Sequence, residues 1–155
     1  KTILVGSSTH IRTEKNELMK CFLGESMKRE MRIMLVEDSI EDANFTQKIL
    51  KFNNLSKDLA LAASGKEAMD ALERLGREGN CPDLILLDIN LPDISGIDLL
   101  KRIKDDARFR NIPVVILTGS NEDEDIQKSY DLGASSYLVK PISNDALMLV
   151  VEKLF

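Results

Sequence analysis

The chain has 155 residues, 43% of them hydrophobic and 30% charged, which is the composition of a single globular domain with a substantial core. Its formal charge of −5 disfavours a nucleic-acid-binding surface, because such a surface needs a basic patch. Its apolar runs are too short to cross a membrane, and only Ile3–Val5 follow Lys1, too few for a signal peptide. We therefore expect a cytoplasmic protein that binds neither nucleic acid nor membranes.

The cysteines and the histidine limit the possible chemistry. Cys21 and Cys81 form no CxxC pair, so we expect two reduced thiols rather than a disulfide framework or a zinc site. His10 is the single histidine, which excludes histidine-based metal sites and disfavours a Ser-His-Asp triad.

Five short apolar runs predict five strands. Each run is continuously apolar, without alternation between apolar and polar residues, which is typical of strands covered on both faces in a parallel sheet. The second run is the weakest of them. The runs are Ile33–Val36, Leu59–Ala63, Leu84–Leu87, Val114–Leu117 and Tyr137–Val139.

Segments with helical periodicity lie between the runs, and serines mark where these helices begin. In a Ser-x-x-acid box the hydroxyl accepts a backbone amide that lacks a partner, and the acid favours the positive end of the helix. Four boxes fit, at Ser39–Asp42, Ser64–Glu67, Ser95–Asp98 and Ser120–Asp123, and Ser143 offers a fifth cap.

The order of these elements predicts the fold class. Gly76, Gly79 and Gly133 are candidate helix ends. Strand and helix then alternate five times from about Arg32 to Phe155. With right-handed crossovers, this alternation gives a doubly wound parallel α/β sheet with helices on both faces.

Residues 1–30 do not join this pattern, so we predict an extension at 1–30 followed by a domain at 31–155. The leading interpretation is a flanking segment, vector-derived or translated from upstream, because the chain starts at Lys1 while Met27 and Met31 lie just before the first strand. The alternative is a helical arm over 14–22 that docks on the domain or on a partner.

Polar residues follow the predicted strands at their carboxyl ends. Because ligands bind beyond the carboxyl ends of the strands in open α/β sheets, we expect these side chains to converge on one edge. Taken alone, each is an ordinary loop residue or helix cap, and the prediction depends on their common placement. The residues are Glu37 and Asp38, Asp88, Thr118 with Gly119, and Lys140 before Pro141.

The charges at this edge predict a cation. Three carboxylates and one ammonium sum to −2, which is unfavourable unless a cation compensates, and Mg²⁺ suits a site of few carboxylates and a phosphate. Asp88 is the candidate nucleophile, since a carboxylate can accept a phosphoryl group. Lys140 and Thr118 could bind the phosphoryl oxygens, and Gly119 leaves room for them.

Four strings in chain order resemble the receiver domains of two-component response regulators. The resemblance covers Met31 to Phe155 and implies a flavodoxin-like (βα)5 fold with strand order 2-1-3-4-5. The strings are Val36–Asp38, Leu87–Gly96 with Pro92 in place, Ile112–Gly119 and Gly133–Pro141.

This resemblance implies a role for each residue of the site. Asp88 would be phosphorylated by a sensor histidine kinase or a phosphotransfer protein, and the bond between Lys140 and Pro141 would be cis. Tyr137 would be the switch aromatic, although a half-buried core tyrosine remains the alternative. The implied Mg²⁺ ligands are Glu37, Asp38, Asp88 and the Asn90 backbone carbonyl, and Thr118, Gly119 and Lys140 would surround the phosphoryl group.

The end of the chain predicts how the domain is used. No DNA-binding module follows the last helix, which favours a stand-alone regulator unless the chain is a piece of a longer protein. That helix is apolar nearly all round over Ala146–Val151, so we expect a homodimer through the fourth helix, fifth strand and fifth helix; an unusually apolar surface helix is the alternative. The long Gly76–Pro82 segment resembles regulators paired with phytochrome-like sensor kinases.

Two other functions are weighed against a phosphorylation-activated switch. A phosphatase of the haloacid dehalogenase type wants Asp-x-Asp-x-Thr, and Asp88–Pro92 lacks the second Asp and the Thr. A phosphorylation-independent adaptor on the same fold should have lost one of the polar site residues, and none is lost. We therefore expect no enzyme activity beyond the domain's own phosphoryl transfer and autodephosphorylation.

Overall fold

The computed structural model describes residues 30–119 and 123–155. Most of the predicted extension, with His10, Cys21 and the possible helix over 14–22, lies outside the described residues, as does the predicted helix cap Ser120.

Five parallel strands form one sheet in the order β2-β1-β3-β4-β5, as expected. Each strand is followed by a helix, which confirms the flavodoxin-like (βα)5 fold. The strands are β1 Met31–Val36, β2 Ser56–Ala62, β3 Leu84–Asp88, β4 Val114–Thr118 and β5 Ser136–Val139. The helices are α1 Ile40–Phe52, α2 Gly65–Arg77, α3 Gly96–Asp105, α4 Asp123–Asp131 and α5 Asn144–Leu154.

The central strands are apolar along most of their length because successive side chains enter two different cores. On β3, Ile85 and Leu87 pack in the core under α2 and α3, whereas Leu84 and Leu86 pack in the core under α1 and α5. All of these side chains are fully buried. Both faces of β3 are therefore covered along Leu84–Leu87, which explains why this run is continuously apolar.

The second strand differs from its prediction. It begins at Ser56, three residues before the apolar run at Leu59, and Leu61 remains 55% exposed. Within the part of the chain that the structure describes, β2 is an edge strand that pairs only with β1, and this pairing includes residues that are not apolar. Hydrogen bonding, rather than burial, determines where this strand begins.

Serine side chains begin four of the helices as predicted. The hydroxyls of Ser39, Ser64, Ser95 and Ser143 each accept a backbone amide three residues further on, at 3.0 to 3.3 Å. These caps satisfy amides that have no partner within the helix. Ser39 and Ser64 follow the ends of β1 and β2 within three residues, so these two loops at the carboxyl edge are short.

Two of the three glycines chosen as helix ends behave as expected. Gly79 follows α2 and Gly133 follows α4, and both adopt positive φ angles, of 74° and 99°. The prediction for Gly76 is wrong, because α2 continues through it to Arg77. A Cβ atom there would lie 3.3 Å from the ring of Phe109, so this glycine serves close packing.

Within the described ranges, no helix is long and apolar enough to cross a bilayer.

Candidate functional site

The polar residues singled out in the sequence converge at the carboxyl edge of the sheet. Asp88 ends β3 and Thr118 ends β4, and Glu37 and Lys140 directly follow β1 and β5. The register places Asp88 beside Leu117, so these ends lie at similar levels of the sheet. Glu37, Asp88 and Thr118 are all buried, unlike ordinary loop residues.

Lys140 connects the carboxylates of this edge. Its Nζ lies 2.7 and 2.9 Å from the two Glu37 carboxylate oxygens and 2.9 Å from Asp88 Oδ2. A fourth oxygen, Oδ2 of Asp42, lies 3.1 Å away. An ammonium has three hydrogens to donate, so four oxygens compete for them.

Asp42 is the member of this group that sequence reasoning missed. It lies in the first turn of α1, where an acid is explained by the helix dipole alone. Its contact with Lys140 spans 98 residues of sequence. The available signal was an acid in the first turn of the helix that follows Glu37 and Asp38. Such an acid is common at helix starts, so the sequence did not indicate a contact with Lys140.

Burial dominates the electrostatics of Glu37. Removal of its side chain from water raises the pKa of the Glu37 carboxyl from 4.5 to about 7, and the neighbouring Asp88 adds to this rise while Lys140 opposes it. For Lys140 the balance is reversed. Burial lowers the pKa of the ammonium, but hydrogen bonds to Glu37, Asp88 and Asp42 outweigh burial and the net pKa is raised.

Three carboxylates lie close enough together to share one cation. Oxygens of Glu37, Asp38 and Asp88 are all within 4.8 Å of one another, with Asp38 on the solvent side. Hard divalent ions such as Mg²⁺ prefer such oxygen ligands, so the residues fit a metal of this class. The backbone amide of Asn90 donates to Asp88 Oδ1 at 3.1 Å, which holds the following loop against the same carboxylate.

The remaining predicted residues lie on β4 and β5. The backbone amide of Lys140 donates to the Thr118 carbonyl at 2.7 Å, and the bond between Lys140 and Pro141 is cis, as predicted. A Cβ atom on Gly119 would find no atom of the described residues within 4 Å, so there is open space among them at this position. Tyr137 is half-buried and meets Tyr130 edge to face, with ring centroids 6.2 Å apart.

Gly96 allows α3 to begin directly against the end of β3. A Cβ atom on Gly96 would lie 2.1 Å from the carbonyl oxygen of Asp88 and 2.7 Å from Cα of Ile89. Its backbone amide donates to the Ile89 carbonyl at 2.6 Å. Only glycine permits this approach, which fixes the backbone beneath the Asp88 carboxylate.

Comparison with known protein families identifies this arrangement. Residues 33–152 match the family described as the response regulator receiver domain. The chain belongs to this family. The four strings of the receiver domain that suggested the resemblance lie in or beside the matched range.

Individual proteins that are similar to this chain are response regulators as well. The response regulator Rcp1 of Synechocystis sp. is 40% identical over 122 residues, which cover 77% of this chain and 83% of Rcp1. The superposition on the Mn²⁺-bound structure of Rcp1 covers 77% of this chain and 88% of the Rcp1 chain, with a TM-score of 0.66 and 37% sequence identity.

Phytochrome response regulators are similar to this receiver domain as well. The superposition on the bacteriophytochrome response regulator RtBRR covers 81% of this chain and 78% of RtBRR, with a TM-score of 0.73 and 35% sequence identity. The superposition on the phosphorylated cyanobacterial phytochrome response regulator RcpA covers 81% of this chain and 91% of RcpA, with a TM-score of 0.68 and 35% sequence identity. The predicted likeness to stand-alone regulators of this kind is therefore confirmed.

Proposed function

We propose that this receiver domain is a phosphorylation-activated signalling switch with Asp88 as its phosphoacceptor. The observation that carries the proposal is the environment of the Asp88 carboxylate. It is buried at the carboxyl edge of the sheet, 2.9 Å from the Lys140 ammonium and beside two further acids. A buried carboxylate with one neighbouring cation and open space at Gly119 suits attack on a phosphoryl group.

Mg²⁺ is the proposed cofactor of the switch. Glu37, Asp38 and Asp88 would hold it together with the backbone carbonyl of Asn90. The Mn²⁺-bound form of Rcp1 supports a divalent ion in this family. When bound, such an ion neutralises the charge that develops on the transferred phosphoryl oxygens. It would also relieve the repulsion among the three carboxylates.

The proposed partner is a sensor histidine kinase or a phosphotransfer protein that carries a phosphohistidine. A carboxylate oxygen of Asp88 forms a bond to phosphorus, and the bond between phosphorus and the histidine nitrogen breaks. The electron pair of that bond leaves with the imidazole, so the product is an acyl phosphate. Lys140 would donate to a phosphoryl oxygen. Hydrolysis of the acyl phosphate by water resets the domain, which makes it a signalling domain rather than an enzyme for other substrates.

Phosphorylation would be transmitted through Thr118 and Tyr137. An aspartyl phosphate adds charge of about −1.5 to −2, toward which the Thr118 hydroxyl would move. The hydrogen bond from the Lys140 amide to the Thr118 carbonyl couples the ends of β4 and β5 during this movement. Tyr137 would turn into the vacated space, and the surface of α4, β5 and α5 would change its preferred partner. A differential of a few kcal/mol suffices to invert such an equilibrium.

A second copy of the chain is the proposed partner of that surface. Large apolar side chains remain exposed on α4, in the middle of α5 and just after α5, namely Tyr130, Leu149 and Phe155. The opposite side of α5 packs in the core through Leu147 and Val151. Exposed apolar area on both elements supports a homodimer through this face.

We also propose that the domain begins at residue 31 and acts in the cytoplasm, without binding nucleic acid.

The phosphoacceptor is tested by chemical phosphorylation. The protein is incubated with Mg²⁺ and acetyl phosphate, and an acid-stable, base-labile adduct is expected on Asp88. Asp88→Asn should take up no label, whereas Asp105→Asn, at an exposed position at the end of α3, should label like the wild type. Labelling of the Asp88→Asn variant would show that another residue is the acceptor. A wild-type protein that takes no label would favour the adaptor function.

A further inference from the structure

The loop between β3 and α3 is fixed to a helix that does not belong to the site. This β3–α3 loop comprises residues 89–95, and Asp93 lies near its tip. Asp93 Oδ1 accepts the backbone amide of Gly65 at 2.8 Å, and its Oδ2 accepts that of Lys66 at 2.8 Å. Both amides belong to the first turn of α2, 27 and 28 residues earlier in the chain.

Asp93 is not the local cap of that helix. Ser64 Oγ accepts the amide of Glu67 at 3.1 Å, and the Glu67 carboxylate accepts the amide of Ala63 at 2.7 Å. These two local bonds cap α2 from its own sequence. Asp93 accepts two further amides of α2, which water could otherwise satisfy. The helix can therefore begin without Asp93, and these two bonds serve to connect the loop to α2.

The charge on Asp93 suits this position. The amides of Gly65 and Lys66 hold the pKa of the Asp93 carboxyl below its usual range, so it is ionised at neutral pH. An ionised carboxylate at a helix amino terminus is also favoured by the helix dipole.

A second, apolar contact joins the same two segments. A Cβ atom on Gly65 would lie 2.5 Å from Cγ1 and 2.7 Å from Cδ1 of Ile94. Ile94 therefore rests directly on the backbone of the first turn of α2. The tip of the loop is held by a polar contact and an apolar contact at one place, which restricts both sliding and lifting of the loop.

The base of the loop lies in the phosphoacceptor site. The amide of Asn90 donates to Asp88 Oδ1 at 3.1 Å, and Asn90 and Ser95 form a bridge across the loop. With the Gly96 amide bound to the Ile89 carbonyl, the loop closes on itself. A closed loop of seven residues has little internal freedom, so fixing its tip restricts its base.

We propose that Asp93 is a positioning residue that fixes the β3–α3 loop on α2 and thereby pre-organises the Asn90 carbonyl for the divalent cation. The inference rests on the proposed function, because it assumes that the cation binds at Asp88 and Asn90. A loop already held in place loses less conformational freedom when the ion binds, which strengthens binding. Groups that orient metal ligands typically change metal affinity by about 10- to 100-fold when they are removed.

The test compares two variants that both weaken the start of α2. Asp93→Ala removes the connection to the loop, whereas Ser64→Ala removes only the local cap. Mn²⁺ affinity is measured by titration calorimetry on the full chain. We expect Asp93→Ala to weaken Mn²⁺ binding by about 10-fold, at the lower end of such effects, and Ser64→Ala by less than about twofold. Asp93→Asn keeps a carbonyl oxygen as acceptor and should restore part of the affinity.

Amide hydrogen exchange without metal gives an independent measurement. Asp93→Ala should speed exchange at Gly65, Lys66 and Asn90, whereas Ser64→Ala should speed it at Glu67 and leave Asn90 unchanged. Equal Mn²⁺ affinity and equal Asn90 exchange in wild type and Asp93→Ala would overturn the positioning role and leave the proposed function intact. A wild-type protein that does not bind Mn²⁺ would overturn both.

Discussion

Replacement of Glu37 by glutamine should make the metal-free protein more stable, and only at neutral and alkaline pH. The Glu37 side chain is 1% exposed, and its pKa is raised to about 7 because burial penalises the charged carboxylate. A group whose folded-state pKa is raised contributes stability that is present below its unfolded pKa and is lost as the pH rises through the folded pKa. Here the loss falls between about pH 4.5 and pH 7.

The size of this effect follows from the shift. A rise from 4.5 to about 7 corresponds to a maximum of about 3 kcal/mol, because each pKa unit is worth about 1.4 kcal/mol. Solvent reaches the site from the Asp38 side, and screening there reduces the expected effect to about 1–2 kcal/mol. Glutamine has the shape of a protonated glutamate and no charge, so the variant avoids this loss.

Urea unfolding in the presence of a chelator measures the difference. The free energies of unfolding of Glu37→Gln and wild type should nearly agree at about pH 5 and differ by about 1–2 kcal/mol in favour of the variant at about pH 8. Excess Mg²⁺ should stabilise the wild type and leave the variant nearly unchanged. Glu41→Gln is the matched control, since within the described residues Glu41 is an exposed acid of α1 without an ion pair.

Two results would refute this reasoning. A difference that is the same at every pH would show that the charge of Glu37 is not the cause. A variant that is less stable than the wild type at about pH 8 would show that the ion pair with Lys140 outweighs the cost of burial.

Three further predictions concern the surrounding structure. Gly96→Ala should lower the free energy of unfolding by at least about 1–3 kcal/mol in urea titrations, because its Cβ would lie 2.1 Å from the Asp88 carbonyl oxygen. Asp42→Asn should lower it by less than about 1 kcal/mol, since the Asp42 side chain is half exposed and shares Lys140 with two buried acids. Leu149→Glu should abolish the dimer in sedimentation experiments; a wild type that stays monomeric at high concentration, with and without a phosphoryl mimic, would contradict the dimer.

The sequence alone determined the architecture and located the edge where the site lies. Strands covered on both faces are largely apolar, so continuous apolar runs predict most of β1, β3, β4 and β5. The serine caps act on amides three residues away, so Ser39, Ser64, Ser95 and Ser143 could be predicted without any tertiary contact. Because parallel strands share one carboxyl edge, the residues that follow them had to meet there.

Contacts between distant segments needed the tertiary structure. An acid in a helix turn or a loop satisfies local rules by itself, so nothing in the sequence distinguished Asp42 or Asp93 from ordinary solvated acids. Their partners, Lys140 and the amides of α2, are close only after the chain has folded. Gly76 is a similar case: glycine often ends a helix, but α2 continues through Gly76 to Arg77, and the absence of a side chain makes room for the ring of Phe109. Local chemistry therefore fixed where four of the helices begin, and tertiary packing determined which distant side chains come into contact.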